Sequence, residues 1–260
     1  MYLKINNLYK IHTSQISKNL PEYLAKVFFT STVSRQTIKI LKKMHSFIFI
    51  FPICRGSVAN CGSAVKWLQS LGIIQNPRES GDLASKVEDT GEVYFVPAFN
   101  GLFAPHWRSD ARGTIVGLTQ YTRREHICRA TLEAVAFQVY EILLAMEKDS
   151  SQRLKALLVD GGMTKNDLLM QIQANFNGIA VVKPQMSETT SLGAALAAAS
   201  SVGLWSIKDH EATEAATESE QPQNVSIFKP EMTPEVRDAK FKRWSEAIQR
   251  SLGWASSMDK

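Results

Sequence analysis

Residues 153–173 read RLKALLVDGGMTKNDLLMQIQ. The apolar run from Arg153 to Asp160 predicts a strand, Gly161-Gly162 turns the chain, and residues 165–177 carry helical spacing. Two glycines between a strand and a helix let a ligand approach the backbone closely. They also aim N–H groups, at the positive end of a helix, toward anions. In open α/β sheets ligands gather at the carboxyl ends of strands. Asp160 is placed there, where a carboxylate can hold a metal-bound water or a hydroxyl. The same turn also serves a plain connection with a solvated Asp160, and spacing alone leaves both readings open.

Outward from this turn the chain alternates. Residues 179–183 (IAVVK) predict a strand stopped by Pro184, and residues 188–203 (ETTSLGAALAAASSVG) a small-residue helix. Gly193-Ala194-Ala195 gives that helix a face for close packing on its sheet. Upstream, residues 123–147 predict a long helix with Ile127, Ala130, Leu132, Val135, Ala136, Val139, Ile142 and Leu143 on its apolar face. Residues 92–99 and 113–118 read as strands, with a Gly/Pro/Trp loop from Gly101 to Arg112 between them. Residues 76–91 read as a polar loop with a short helix. Residues 57–71 read as a helix with Gly62 in its interior, which costs about 1 kcal/mol against alanine and therefore points to a close approach there. Residues 206–233 read as a polar loop, and 234–252 as a final amphipathic helix with Pro234 in its first turn. Strand–helix alternation implies an α/β layer with a parallel core.

The chain has 260 residues, enough for one large domain. Apolar residues make up 44% and charged residues 21%, which excludes wholesale disorder and a disulfide-stapled mini-protein. Three cysteines (Cys54, Cys61, Cys128) in no metal-like spacing fit a reducing compartment, with Cys61 and Cys128 as small core fillers. The net charge of +5 is uneven. Residues 1–55 hold nine Lys/Arg against one acid, Glu22, for +8; the rest holds 21 against 24, for −3. All 14 glycines lie at or after Gly56. Residues 1–55 thus read as a basic segment foreign to the remainder of the chain. The apolar run at 47–53 is far short of the roughly 20 residues that span a bilayer. No nucleic-acid module and no membrane span are expected, and the protein is expected in the cytoplasm.

Several collinear blocks resemble one family. Gly113-Thr-Ile-Val-Gly117-Leu118 followed by His126-Ile127-Cys-Arg-Ala130-Thr131-Leu132-Glu133 is similar to the second signature of the FGGY carbohydrate kinases. Gly56–Leu68, Tyr94–Trp107, Asp110–Thr119, Val159–Gln173, Glu188–Ala195 and Val202–Trp205 resemble the glycerol kinase branch, so the likeness covers about residues 56–254. It implies an actin-like, ribonuclease-H-like ATPase fold, the second domain of a two-domain sugar kinase, here incomplete at its N-terminal strands.

The resemblance implies ATP and Mg²⁺ as cofactors, glycerol or a related polyol as substrate, and a homo-oligomer as one state. Gly62 stands where the family has a helix glycine beside the nucleotide, and Lys66 one turn on, where a Gln is common. Gly162 matches the glycine of the adenosine motif and Asn166 the residue beside adenine, with Gly161 and Asp160 supporting the turn. No segment resembles the family's first signature, its GDQ block with the catalytic aspartate, or its GTG phosphate turn. No catalytic and no metal-ligating residue is therefore assigned. The implied function is the nucleotide-binding part of an ATP-dependent glycerol kinase; the alternative is a non-catalytic module that binds nucleotide or dimerises with a kinase. Arg112 is read as structural in a hairpin, His126 as a helix-start residue, and Phe103 and Trp107 as core, with a cover over the site as their alternative.

Overall fold

The computed structural model describes residues 2–4, 55–58, 60–150, 154–184, 189–204 and 225–255. The rest of the basic segment, residues 5–54, and most of the 206–233 stretch lie outside the described residues. The elements in chain order are β1 (Tyr2–Lys4), β2 (Arg55–Ser57), α1 (Gly62–Ser70), α2 (Glu79–Ala84), β3 (Tyr94–Val96), β4 (Thr114–Val116), α3 (Arg124–Ser150), β5 (Ala156–Leu158), a 3₁₀ turn (Gly162–Lys165), α4 (Asp167–Asn177), β6 (Ala180–Pro184), α5 (Thr189–Ser201), β7 (Val225–Phe228) and α6 (Pro234–Arg250).

The 27-residue helix α3 is the centre. At 1.5 Å per residue it runs about 40 Å. Its expected apolar face is buried from Ala130 through Leu143, with Ile127 partly buried at the rim. Helices α1, α2 and α4 all pack on it. Helix α4 starts at Asn166, whose Oδ1 accepts from Leu169 N at 3.1 Å, and ends on Gly178 in the left-handed region at φ 64°. Helix α6 opens with Pro234 and drives Trp244, Ala247 and Ile248 into the core. Its far end is pinned: Gly253 N donates to Asp110 Oδ2 at 2.9 Å, and Trp254 N and Ala255 N to Asp110 O at 3.0 Å.

Strands β3 and β4 form an antiparallel hairpin with Tyr94 opposite Val116. At the open end of the hairpin, just past β4, Gly117 takes φ 82°, where a Cβ would lie 2.0 Å from Glu92 O, so only glycine fits. The second sheet runs β5-β6-β7. Strands β5 and β6 are parallel, joined through α4, with Leu158 opposite Val182. Strand β7 adds antiparallel, with Ile227 opposite Val182.

Four expectations change here. The stretch read as a polar loop at 206–233 contains a strand, because Val225, Ile227 and Phe228 are β-formers that pair with β6. The core is not wholly parallel, since only β5 with β6 is. The first helix starts at Gly62 rather than 57, because Arg55–Ser57 is spent on a ladder: Tyr2–Lys4 pairs antiparallel with it, Tyr2 opposite Ser57. Three residues of the basic segment thus add a strand next to the region resembling the family. Finally, α5 is exposed along most of its length, and a Cβ on Gly193 would meet nothing within 4 Å. The close packing expected of Gly193-Ala194-Ala195 is absent.

Candidate functional site

Strand β5 ends at Leu158, and Val159 N still donates to Val182 O at 3.1 Å, so the chain leaves the sheet at Asp160. Gly161 then takes φ 92° and ψ 176°, a conformation that L side chains rarely adopt. A Cβ on Gly161 or Gly162 would meet no atom within 4 Å. The glycines are therefore set by backbone conformation and leave open space at the carboxyl end of β5. Thr164 braces the turn: its N and Oγ1 both donate to Gly161 O, at 3.0 and 2.7 Å.

The turn does not feed straight into a helix. A four-residue 3₁₀ turn intervenes, and α4 begins only at Asp167. Its first amides are met by Asn166, and Asp167 adds a carboxylate to the first turn. The positive helix end expected to face an anion at the diglycine is thus used locally. Asn166 also lies over Gly81 of α2, where a Cβ would sit 2.9 Å from both its amide Nδ2 and Oδ1. Its oxygen is committed to the cap; Nδ2 makes no hydrogen bond among the described residues.

Gly161, Gly162 and Asn166 are together in this one turn. Gly62 and Lys66 lie on α1, a different element; α1 packs on α3, as does α4, into which the turn leads. Gly62 is the first residue of α1, half-buried, with open space beside it, rather than a buried interior glycine. It follows Cys61 because the chain has just left β2. Lys66 is exposed.

His126 acts at a helix start, its Nδ1 accepting from Arg123 N at 3.0 Å. Arg112 is structural: its guanidinium donates to Ser109 O and Ala111 O at 2.9 and 2.8 Å. Phe103 and Trp107 are not core. Trp107 is 73% exposed at φ 52°, because the tight Leu102–Arg108 bridge turns the loop outward. Cys61 and Cys128 are buried, and burial pushes both thiols up to about 11, so they fill space rather than react. Two clefts flank the hairpin. One, of about 270 Å³, is walled by Trp67, Phe95, Phe99 and Arg112; neither contains a predicted site residue.

The smaller cavity holds a pair that the sequence reading missed. His106 Nε2 lies 2.9 Å from Glu141 Oε1, with Glu141 buried in α3. The two are 35 positions apart, so spacing carries no signal; the only hint is an acid next to the apolar stripe of α3. The bond to Glu141 raises the His106 pKa above its usual value, against an opposing effect of burial. The stability this pair contributes is fully present below about pH 6.5. It is lost as pH rises through the raised value. The melting temperature should fall over that window, and His106→Gln should flatten this part of the profile. An unchanged slope in the variant rejects the assignment.

Among the described residues no group of three or more His, Cys, Asp or Glu is placed to hold a metal, and no helix is long and apolar enough to cross a membrane.

The architecture has close counterparts. The chain superposes on the crystal structure of Plasmodium falciparum glycerol kinase with ADP with a TM-score of 0.67 and 39% identity, covering 77% of this chain and 38% of that one. A ligand-bound xylulose kinase from Lactobacillus acidophilus matches the fold at 22% identity and TM-score 0.59. The class is thus the actin-like, ribonuclease-H-like ATPase fold of the sugar kinases. The family model of the FGGY carbohydrate kinases, C-terminal domain, matches residues 53–202. The chain belongs to the FGGY family of carbohydrate kinases. It is 52% identical over 198 residues to the glycerol kinase of Mycobacteroides abscessus and 48% over 203 to that of Chloroflexus aurantiacus. These alignments cover 76% of this chain but only 38% and 39% of those proteins.

Proposed function

We propose that this chain is the C-terminal, nucleotide-side part of an ATP-dependent glycerol kinase, which moves the γ-phosphoryl group of ATP to glycerol to give sn-glycerol 3-phosphate. The observation that carries the reading is the open Gly161-Gly162 turn at the carboxyl end of β5, in a chain about half identical to glycerol kinases. Gly161 and Gly162 admit the adenosine against bare backbone, and Asn166 offers Nδ2 to the base while its oxygen holds the helix start. Gly62 and Lys66 complete the nucleotide side from α1.

Mg²⁺ keeps several waters and is held through few carboxylates plus substrate phosphates, so it needs no three-residue cage. Asp160 is the residue of this turn suited to hold one of its waters. Mg²⁺ neutralises charge on the transferring phosphoryl group; the proton sink and the polyol contacts lie in the part of the kinase this chain does not match. That coverage of less than two-fifths supports the second reading: on its own the chain is a non-catalytic module that binds nucleotide or dimerises with a kinase. Buried free thiols at Cys61 and Cys128 suit the cytoplasm.

Calorimetric titration of the full chain with MgATP is expected to give heat and a thermal shift at millimolar nucleotide. Gly162→Val, which fills the open space, should abolish both. No heat and no shift in the unaltered chain overturns the nucleotide assignment; glycerol-dependent ADP production at ordinary kinase rates by the chain alone overturns the non-catalytic reading.

A further inference from the structure

The β3-β4 hairpin sends apolar side chains to both of its faces. Tyr94, Val96 and Val116 pack into the main core. Phe95 and Ile115, opposite each other in the register, turn the other way, onto a small separate cluster with Val93, Ala64 and Ala130. Over that cluster the cover is incomplete. Trp67 of α1 stacks on Phe95 at 5.1 Å and 21°. Phe99, from the loop after β3, meets Trp67 at 5.6 Å and Phe95 at 6.1 Å. Phe95 is buried, whereas Trp67, Phe99 and Ile115 are half-buried around the cleft of about 270 Å³. Three elements thus build one aromatic wall.

Arg112 is the one charged residue of the lining. It is held firmly. Its backbone N donates to Ser251 O at 3.0 Å, and its Nη1 to Ser109 O and Ala111 O at 2.9 and 2.8 Å. Thr114 Oγ1 donates to Arg112 O at 3.1 Å. Nε and Nη2 make no hydrogen bond among the described residues, and no carboxylate among them pairs with the guanidinium. A guanidinium anchored through Nη1 keeps its Nε–Nη2 edge for a ligand. That edge grips a carboxylate with two parallel hydrogen bonds. Because the anchors already fix the side chain, little of its freedom is lost on binding.

We propose that this cleft binds a small aromatic carboxylate, its ring against Trp67 and Phe99 and its carboxylate on Arg112. Aromatic rings pack offset or edge-to-face on such a wall. The volume lies just under the usual range for small-molecule pockets, about 300–1,000 Å³, which suits one ring or a fused pair rather than a nucleotide. Gly113 lines the same cleft, and a Cβ there would come 3.3 Å from the Phe99 ring, so its bare backbone keeps the opening beside that ring clear. A neutral ligand leaves the Arg112 charge unmatched, and a cationic one is repelled by it.

Titration of the full chain with 4-fluorobenzoate, followed by fluorine NMR, should saturate with a Kd of about 1 mM or tighter. 4-Fluorobenzamide has the same shape without the charge and should bind about tenfold more weakly or worse. The bound ring should show nuclear Overhauser contacts to the Ile115 methyls, and excess MgATP should leave it in place. Arg112→Gln should weaken the acid about tenfold. Phe99→Leu, which leaves Arg112 and its anchors intact, should weaken it several-fold. No saturable binding, equal affinity for acid and amide, contacts to other methyls only, or displacement by MgATP each overturns the site. So does unchanged affinity in either folded variant. Ile115 signals that shift with protein concentration rather than with the probe mark a second copy in the cleft and overturn it too. Should Arg112→Gln lose the thermal transition of the unaltered chain, the acid–amide comparison and Phe99→Leu decide.

Discussion

Phe137→Ala should lower the stability of the domain by about 3–5 kcal/mol, the cost of emptying a large aromatic site. The ring of Phe137 stacks on Trp244 at 5.0 Å and 14°, meets Phe176 at 4.2 Å, and reaches Tyr94 and Phe241 at 6.2 and 6.4 Å. It therefore joins α3 to α4, β3 and α6 at one point. Its neighbours are anchored on three other elements and cannot all move inward, so the cavity stays largely open. For a domain whose total stability is of order 5–15 kcal/mol, the loss is a large fraction of the whole. Urea unfolding followed by the near-ultraviolet signal of the buried Trp244 reads it directly, and a loss under about 1 kcal/mol would show that α6 docks by some other contact.

The second large effect is expected at Glu133. Its carboxylate is buried on α3 and is met by Arg129 at 3.3 Å and by Lys240 of α6 at 3.4 Å. Arg129 also donates to Val87 O at 2.8 Å, which ties the stretch after α2 to the same charge cluster. Glu133→Ala strands two partly buried cations without their anion, and breaking one side of such a pair costs about 3–5 kcal/mol. Glu133→Gln keeps the shape and an acceptor oxygen and should cost less. Equal midpoints for the two variants in urea would mean that packing, not charge, dominates at this position.

How much of the molecule is readable from sequence depends on whether the deciding signal is local. The buried stripe of α3 follows from residue spacing, because an amphipathic helix writes its own period; every member from Ala130 to Leu143 is where the pattern places it. The Asp160-Gly161-Gly162 turn follows from its glycines, and the structure gives Gly161 the positive φ they permit. The family blocks carry the fold class, which the match over residues 53–202 bears out. What failed was non-local. Strand β7 hides in a polar stretch because only its pairing with Val181–Pro184 makes it a strand. Tyr2–Lys4 is a strand only by virtue of Arg55–Ser57, far along the chain. Trp107 and Phe103 look like core by residue type, yet the loop between β3 and β4 turns them outward. Gly62 looks interior to a helix until β2 claims the residues before it. At the site, residue identity suggested Asn166 as a base reader, whereas its geometry first makes it a helix cap.

The position of Phe137 along the chain has a consequence for how the protein is made. Of its ring partners only Tyr94 is synthesised earlier; Phe176, Phe241 and Trp244 all come later. The loop at Asp110 waits longer still, for Gly253 and Trp254. Translation therefore lays down the long central helix well before the surfaces that keep it dry, and α6 with its pinned end acts as the closing stitch of the domain. A ribosome that stalls or terminates shortly before α6 releases a chain with the aromatic cluster around Phe137 half assembled, the kind of exposed apolar surface on which chaperones and proteases act.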